Sequence, residues 1–188
     1  MKEVGATVVF HLGRAEQPVN NIEIQIEAEE NNDIVQHDIK EHAYNKTLVS
    51  LMSLKWFDKV LSDKTPVVIL SDSRTYIDMT QWSETIGNSS TRTFFGDFSG
   101  LGENKRDWSV CSQVRFYDEV QRKGKFGASE EMYEMNFFPT YCQAGCFGLS
   151  RDVVKDILAA VPSTRYFYQP QKYIRYFFNK LKHSSKLF

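Results

Sequence analysis

Acid is missing from one end of this chain: no Asp or Glu follows Asp156, whereas six Lys or Arg do. Everything beyond Asp156 is therefore excluded as a source of a carboxylate base or a carboxylate metal ligand. Long apolar runs are absent too. No stretch approaches the roughly 18 residues of a membrane-spanning helix, and Met1-Lys2-Glu3 does not open a secretory signal. Cysteine is scarce. Three residues, Cys111, Cys142 and Cys146, cannot all pair within the chain. Cys142-x-x-x-Cys146 has no second pair and no nearby His, which excludes a tetrahedral zinc site. The histidines (His11, His37, His42, His183) are scattered, and with Ser71 and Ser73 they form no recognisable nucleophile arrangement, so a hydrolase has no support. A strong charge of one sign is likewise lacking. The formal net charge of −1 argues against a general nucleic-acid or membrane-surface binder.

What is present is enough to build a core. The 188 residues are 41% apolar and 14% aromatic, as expected of one packed domain. Charge is unevenly placed, with nine acids against three bases in residues 1–42 and a basic end after Asp156. Two readings of that end stand: a solvated basic face, or a surface for a phosphate- or glycan-bearing partner.

Ala6–Leu12 (ATVVFHL) reads as a buried parallel strand. Pro18 opens a helix to about Asn31, with Ile22 and Ile26 on one face. Asp33–Ile39 alternates like a half-buried strand. Asn45 is placed to cap a helix carrying Leu48, Leu51, Met52 and Trp56. Val67–Leu70 is the next strand. The strand–helix alternation predicts an α/β domain with a mostly parallel sheet flanked by helices. Such sheets bind ligands beyond the carboxyl ends of their strands, which is where Asp72 falls. Residues 87–107 read as a loop with one short strand, Thr91–Phe95. Ser150 is placed to cap a helix from Arg151, and residues 173–188 form an amphipathic, basic last segment. Asn45-Lys46-Thr47 and Asn88-Ser89-Ser90 are glycosylation sequons.

Three stretches, in order, resemble the inverting β-1,3-glycosyltransferases of glycosyltransferase family thirty-one. They are Glu27–Lys59 (EAEENNDIVQHDIKEHAYNKTLVSLMSLKWFDK), Val67–Met79 (VVILSDSRTYIDM) and Phe137–Ile157 (FFPTYCQAGCFGLSRDVVKDI). The match is best over residues 6–160, with 161–188 a divergent basic tail of one partial domain. The resemblance implies a nucleotide-sugar-binding fold of the GT-A type, a UDP-sugar donor, a glycan acceptor and a place in the Golgi. Association with another glycosyltransferase is a further partner it suggests. It also implies a divalent ion, usually manganese, held by an Asp triplet at the end of the third strand. Asp72, Ser73 and Arg74 stand in that place, so Asp72 is the donor-side and metal candidate, with Ser73 and Arg74 beside it. Arg74 can pair with Asp72 or bind phosphate in the metal's stead. Tyr141 and Gly145 fall in the segment that walls the family's acceptor pocket, and Cys142 matches a cysteine for which Cys111 is a candidate partner. Where the family carries a Glu-Asp pair with the general base, Gln171 and Lys172 stand. No catalytic residue is assigned. The resemblance implies a first strand that is not matched before Ala6, as expected either of a piece of a longer domain or of one that has shed that half-site, and an open sheet edge there would invite pairing.

Overall fold

The computed structural model describes residues 5–73, 75–80, 83, 93–96, 119–124, 127–138, 146–174 and 176–177. Its elements are β1 (Phe10–Arg14), α1 (Pro18–Asn31), β2 (Ile34–Lys40), α2 (Lys46–Val60), β3 (Val67–Ser71), β4 (Phe94–Gly96), β5 (Cys146–Ser150) and α3 (Arg151–Ala160). The strand–helix order of the first half is as the hydrophobic patterning predicts. The pairing is less so. β1 and β2 run parallel, Phe10 opposite Ile34, but β3 pairs antiparallel with β5, Val67 opposite Ser150, and β4 lies on β5's other edge. The expected mostly parallel sheet is thus realised in part, as one parallel pair and one antiparallel three-stranded sheet. Local periodicity marks a strand but carries no record of a partner some eighty positions away, such as Gly148 opposite Ile69.

Boundaries shift in ways with physical causes. β1 starts at Phe10 and not Ala6. Its ladder breaks between Leu12 and Arg14, where Gly13 is pressed against the chain leaving β2. A Cβ on Gly13 would lie 2.5 Å from the Ile39 carbonyl oxygen, and its N–H donates to Glu41 Oε2 at 2.8 Å. Only glycine fits that approach. Asn45 does not cap α2. It ends a 3-10 turn (Ala43–Asn45), makes no side-chain cap bond, and donates from Nδ2 to the Lys40 carbonyl at 2.9 Å. Ser150 occupies the N-cap position of α3 without capping it through its side chain. Its hydroxyl donates to Asp152 Oδ1 and accepts from the Thr93 N–H, joining the start of α3 to the strand that follows Thr93. Asp152 Oδ1 meets the Val153 N–H instead.

The core lies where α2 and α3 cross β5. Leu54, Phe57, Leu149, Val154 and Ile157 are buried there, joined by Phe167, Tyr173, Ile174 and Phe177 from the basic end of the chain. Burying those aromatic rings anchors that end to the domain. The opposite flank differs. α1 buries none of its residues, and Ile22 and Ile26 of its apolar stripe are 60% and 52% exposed. Phe10 on β1 is exposed as well, so α1 and β1 present apolar surface in an unusual amount.

Two histidines that look scattered in sequence meet across β1 and β2. His11 Nδ1 and His37 Nε2 are 2.9 Å apart, with ring centroids 5.1 Å apart and planes only 13° apart. A nitrogen contact that short at that centroid spacing sets the rings edge to edge in one plane, sharing a proton in an N–H···N bond. The edge of Trp56 closes against His11 at 5.2 Å. Burial, then the neighbouring His37, pulls His11 down to about 4, and burial lowers His37 also. An unfolded chain takes up these protons below about pH 6.5, while the folded pair resists. Stability is therefore whole above pH 6.5 and declines as pH falls toward 4. After allowance for solvent screening, the loss is about 1–2 kcal/mol. The melting temperature should drop by several degrees between pH 7 and pH 5, and His11→Gln should flatten that slope. A wild-type melting temperature level across this range would contradict the shared-proton pair.

Candidate functional site

Asp72 lies where sequence places it, one residue beyond β3, and it is exposed. Its carboxylate serves its own turn. Oδ1 accepts from the Thr75 hydroxyl at 2.8 Å, while the Asp72 carbonyl accepts from the Thr75 N–H at 3.3 Å and from the Ser71 hydroxyl at 3.1 Å. The backbone bond is the i to i+3 bond of a β-turn, and the side-chain bond braces it. Ser73 is exposed beside it. Arg74, Tyr141, Gly145, Asn88, Cys111 and Cys142 lie outside the described residues. Asn45 is half-buried, with the nitrogen a glycan would use already bonded to Lys40.

A hard divalent ion takes about six oxygen ligands, several of them carboxylate in a dedicated protein site. Among the described residues no three His, Cys, Asp or Glu converge, and the end of β3 offers the single carboxylate of Asp72. These donors do not by themselves fit manganese.

A cavity of about 970 Å³ opens elsewhere. Its walls come from Ala43 and Lys46 at the start of α2, from residues 119–121, from Phe138, and from residues 168–172. Asp72 is not part of that lining. The cavity instead sits past the carboxyl end of β2, where the chain turns through Ala43–Asn45 into α2.

Each wall is held by identifiable contacts. Residues 119–121 are fixed by a bridge between Glu119 and Phe137 and by the Val120 N–H donating to the Asn136 carbonyl at 2.8 Å. Arg122 staples the same segment, donating to the carbonyls of Ala128, Tyr133 and Met135. Phe138, 3% exposed, stacks on Tyr133 with centroids 5.0 Å apart and carries the Lys172 ammonium 4.1 Å from its ring centre. Tyr168 donates from its hydroxyl to the Gly127 carbonyl at 2.5 Å and meets the Tyr44 ring edge-on at 4.9 Å. Burial pushes the phenols of Tyr133 and Tyr173 up to about 12, so both stay protonated; Tyr133 donates to the Phe137 carbonyl, and Tyr173 packs against Phe167 and Phe177.

Sequence alone points at one of these walls without showing that the others meet it. Gln171 and Lys172, which the resemblance sets at an acid pair's place, do line the cavity. Glu119 carries no such signal. It lies well before the third matched segment, and the Glu119–Phe137 bridge sets it beside the strand of chain that leads to Phe138, in the same lining as Lys172. Among the lining residues it is the one carboxylate; Lys46 and Lys172 are the cations; Gln121, Gln169 and Gln171 supply amides. Such a set can orient a polyhydroxylated ligand, meet a negative charge and accept a proton.

Comparison with known proteins agrees with the motifs. A family model described as Galactosyltransferase matches residues 1–186. Beta-1,3-galactosyltransferase 5 of Homo sapiens is 24% identical over 159 residues, covering 84% of this chain and 46% of that protein. The same-named protein of Pan paniscus is 24% identical over 159 residues, with 48% of its length covered. The chain spans about half the length of these curated relatives. Among the described residues no helix is long and apolar enough to cross a membrane. With the family model matched from residue 1 to residue 186, this chain belongs to the galactosyltransferase family.

Proposed function

We propose that the chain acts as a hexosyltransferase domain, moving galactose or N-acetylglucosamine from a UDP-sugar to a glycan acceptor in β-1,3 linkage during protein glycosylation in the Golgi. The family match over residues 1–186 carries this reading. The donor side is assigned to Asp72, Ser73 and Arg74, and the acceptor side to Tyr141, Gly145 and the cavity lined by Glu119 and Lys172.

In a single displacement an acceptor hydroxyl attacks the anomeric carbon, the bond from that carbon to the UDP oxygen breaks, and the configuration inverts. The hydroxyl proton needs a base in the same step. Glu119 takes that role, since Gln171 and Lys172 occupy the place of the family's acids. Arg74 is the cation nearest in sequence to Asp72, and it meets the charge left on the departing diphosphate.

The test is transfer of radiolabelled sugar from UDP-galactose and UDP-N-acetylglucosamine to glycans ending in galactose or N-acetylglucosamine. Turnover is expected with one donor, and Glu119→Gln should lower kcat by about a hundredfold or more while UDP affinity holds. Turnover untouched by Glu119→Gln would remove Glu119 as the base. Absence of turnover with every donor and acceptor would favour a second reading, which the Gln171 and Lys172 replacements specifically support. In that reading the domain binds a glycan, or a partner glycosyltransferase, without transferring sugar.

A further inference from the structure

We infer that the outward side of α1 is a docking surface for a basic amphipathic helix of another protein. The inference is independent of the cavity and of sugar transfer.

α1 rests on β2, and its half-buried residues are Asn21, Ile24 and Ala28, at i, i+3 and i+7. A second stripe of the same spacing, Val19, Ile22 and Ile26, lies on the side turned away from these, because each residue advances about 100° around the helix. Those three side chains are 55%, 60% and 52% exposed. Glu23, Glu27 and Glu30, at i, i+4 and i+7, run as an exposed row along one edge of the stripe. Among the described residues no donor meets their carboxylates, whereas Glu29 accepts from Gln25. The helix holds no Lys or Arg.

Three features of α1 therefore cost stability while it stands alone. Branched apolar side chains face water. Like charges at i and i+4, Glu23 and Glu27, oppose helix formation. Glu29 and Glu30 sit in the last turn, at the negative end of the helix dipole. One kind of partner relieves all three. A helix lying along α1 with a leucine or isoleucine stripe covers Val19, Ile22 and Ile26 over a length of about 20 Å, and lysines or arginines beside that stripe reach the glutamate row. The sign of the charge also excludes other occupants. Nucleic acid and anionic membrane are repelled by the row, and α1 of a second copy would set glutamate against glutamate.

The probes are a fluorescein-labelled amphipathic peptide of leucine and lysine and its leucine–glutamate counterpart. Anisotropy is read with the wild-type chain, with the double variants Ile22→Ser, Ile26→Ser and Glu23→Lys, Glu27→Lys, and with Glu130→Lys, Glu131→Lys as a control at an exposed acidic pair on another segment. Circular dichroism checks that each variant is folded. The wild type is expected to bind the lysine peptide at least about tenfold more tightly than the glutamate peptide. Both α1 variants should weaken the lysine peptide by about tenfold or more, and the control should leave it within about twofold. Equal affinity for the two peptides, absence of binding, or lysine-peptide binding that survives both α1 variants overturns the inference. Sedimentation of the chain alone and flotation with phosphatidylserine vesicles test the other occupants. A dimer that Ile22→Ser, Ile26→Ser dissociates would make a second copy the occupant, and vesicle binding lost in the same variant would make it a lipid surface; either overturns the inference.

Discussion

Arg151→Ala is expected to lower the melting temperature by roughly 8–15 °C. Arg151 is 8% exposed, and all its guanidinium nitrogens are engaged. Nε donates to the Thr65 carbonyl at 3.0 Å, Nη1 to those of Phe57 and Asp58, and Nη2 to those of Leu61 and Ser62. They lie at the carboxyl end of α2 and in the turn that follows; those of Phe57 and Ser62 also accept from the Leu61 and Thr65 N–H groups, while that of Asp58 is of the kind a helix end leaves unsatisfied. The cation also complements the negative end of the helix dipole and lies over the Phe57 ring, 4.2 Å from its centre. One side chain thereby joins α2, the loop into β3 and the start of α3. Truncation takes the charged donor from the carbonyls of Asp58, Leu61 and Thr65 at once, a loss of about 3–5 kcal/mol given that bonds to a charged donor contribute about 1.5–3 each and do not add fully. Arg151→Lys should recover less than half of it, because one ammonium has three donors and no planar fork. Far-ultraviolet circular dichroism during heating measures both. A shift under about 3 °C for the alanine variant would show that the carbonyls find other partners.

Phe138→Ala should destabilise by about 3–5 kcal/mol, as for other buried Phe truncations. Its ring stacks on Tyr133, packs against Phe167 at 6.0 Å, and forms the seat of Lys172. Phe138→Leu separates the two roles. Leucine refills most of the volume and should cost under about 1.5 kcal/mol, yet it provides no π face for the ammonium. Binding of any ligand that meets the Lys172 ammonium should then weaken about two- to fivefold, the size of an exposed cation–π contact. Denaturant unfolding and calorimetry read the two effects independently. If Phe138→Leu were as unstable as Phe138→Ala, the ring's aromatic contacts would outweigh its volume.

How much of the fold and site is legible in the sequence depends on the range of the interaction. Helix α1, strand β2, helix α2 and strand β3 are readable because periodicity and Pro18 act within a few residues. β5 is not, since Gly145 and Gly148 disguise a strand whose five residues are all buried. The caps expected at Asn45 and Ser150 fail for a related reason. Both residue types suit a cap, but each finds a competing partner, Lys40 for one and Asp152 with Thr93 for the other. At the site, Asp72 stands out in sequence as an acid ending an apolar strand, and Gln171 and Lys172 stand out against the family pattern. Glu119 has no local signal, and the His11–His37 bond depends on strand register that no single segment encodes. Strand partners and wall-to-wall meetings form over tens of residues, beyond the reach of local patterning.

Under the proposed UDP-sugar reading, in which Asp72 and Arg74 stand where the resemblance implies an Asp triplet, the chain should bind its nucleotide without a metal. Isothermal titration of UDP into the chain, first in chelator and then with manganese, tests this most directly. The expected result is a binding heat in chelator that manganese strengthens by no more than about threefold, which is under 1 kcal/mol. Binding that appears only with manganese would restore a metal site at Asp72, and the absence of heat in both conditions would contradict the nucleotide-sugar reading itself.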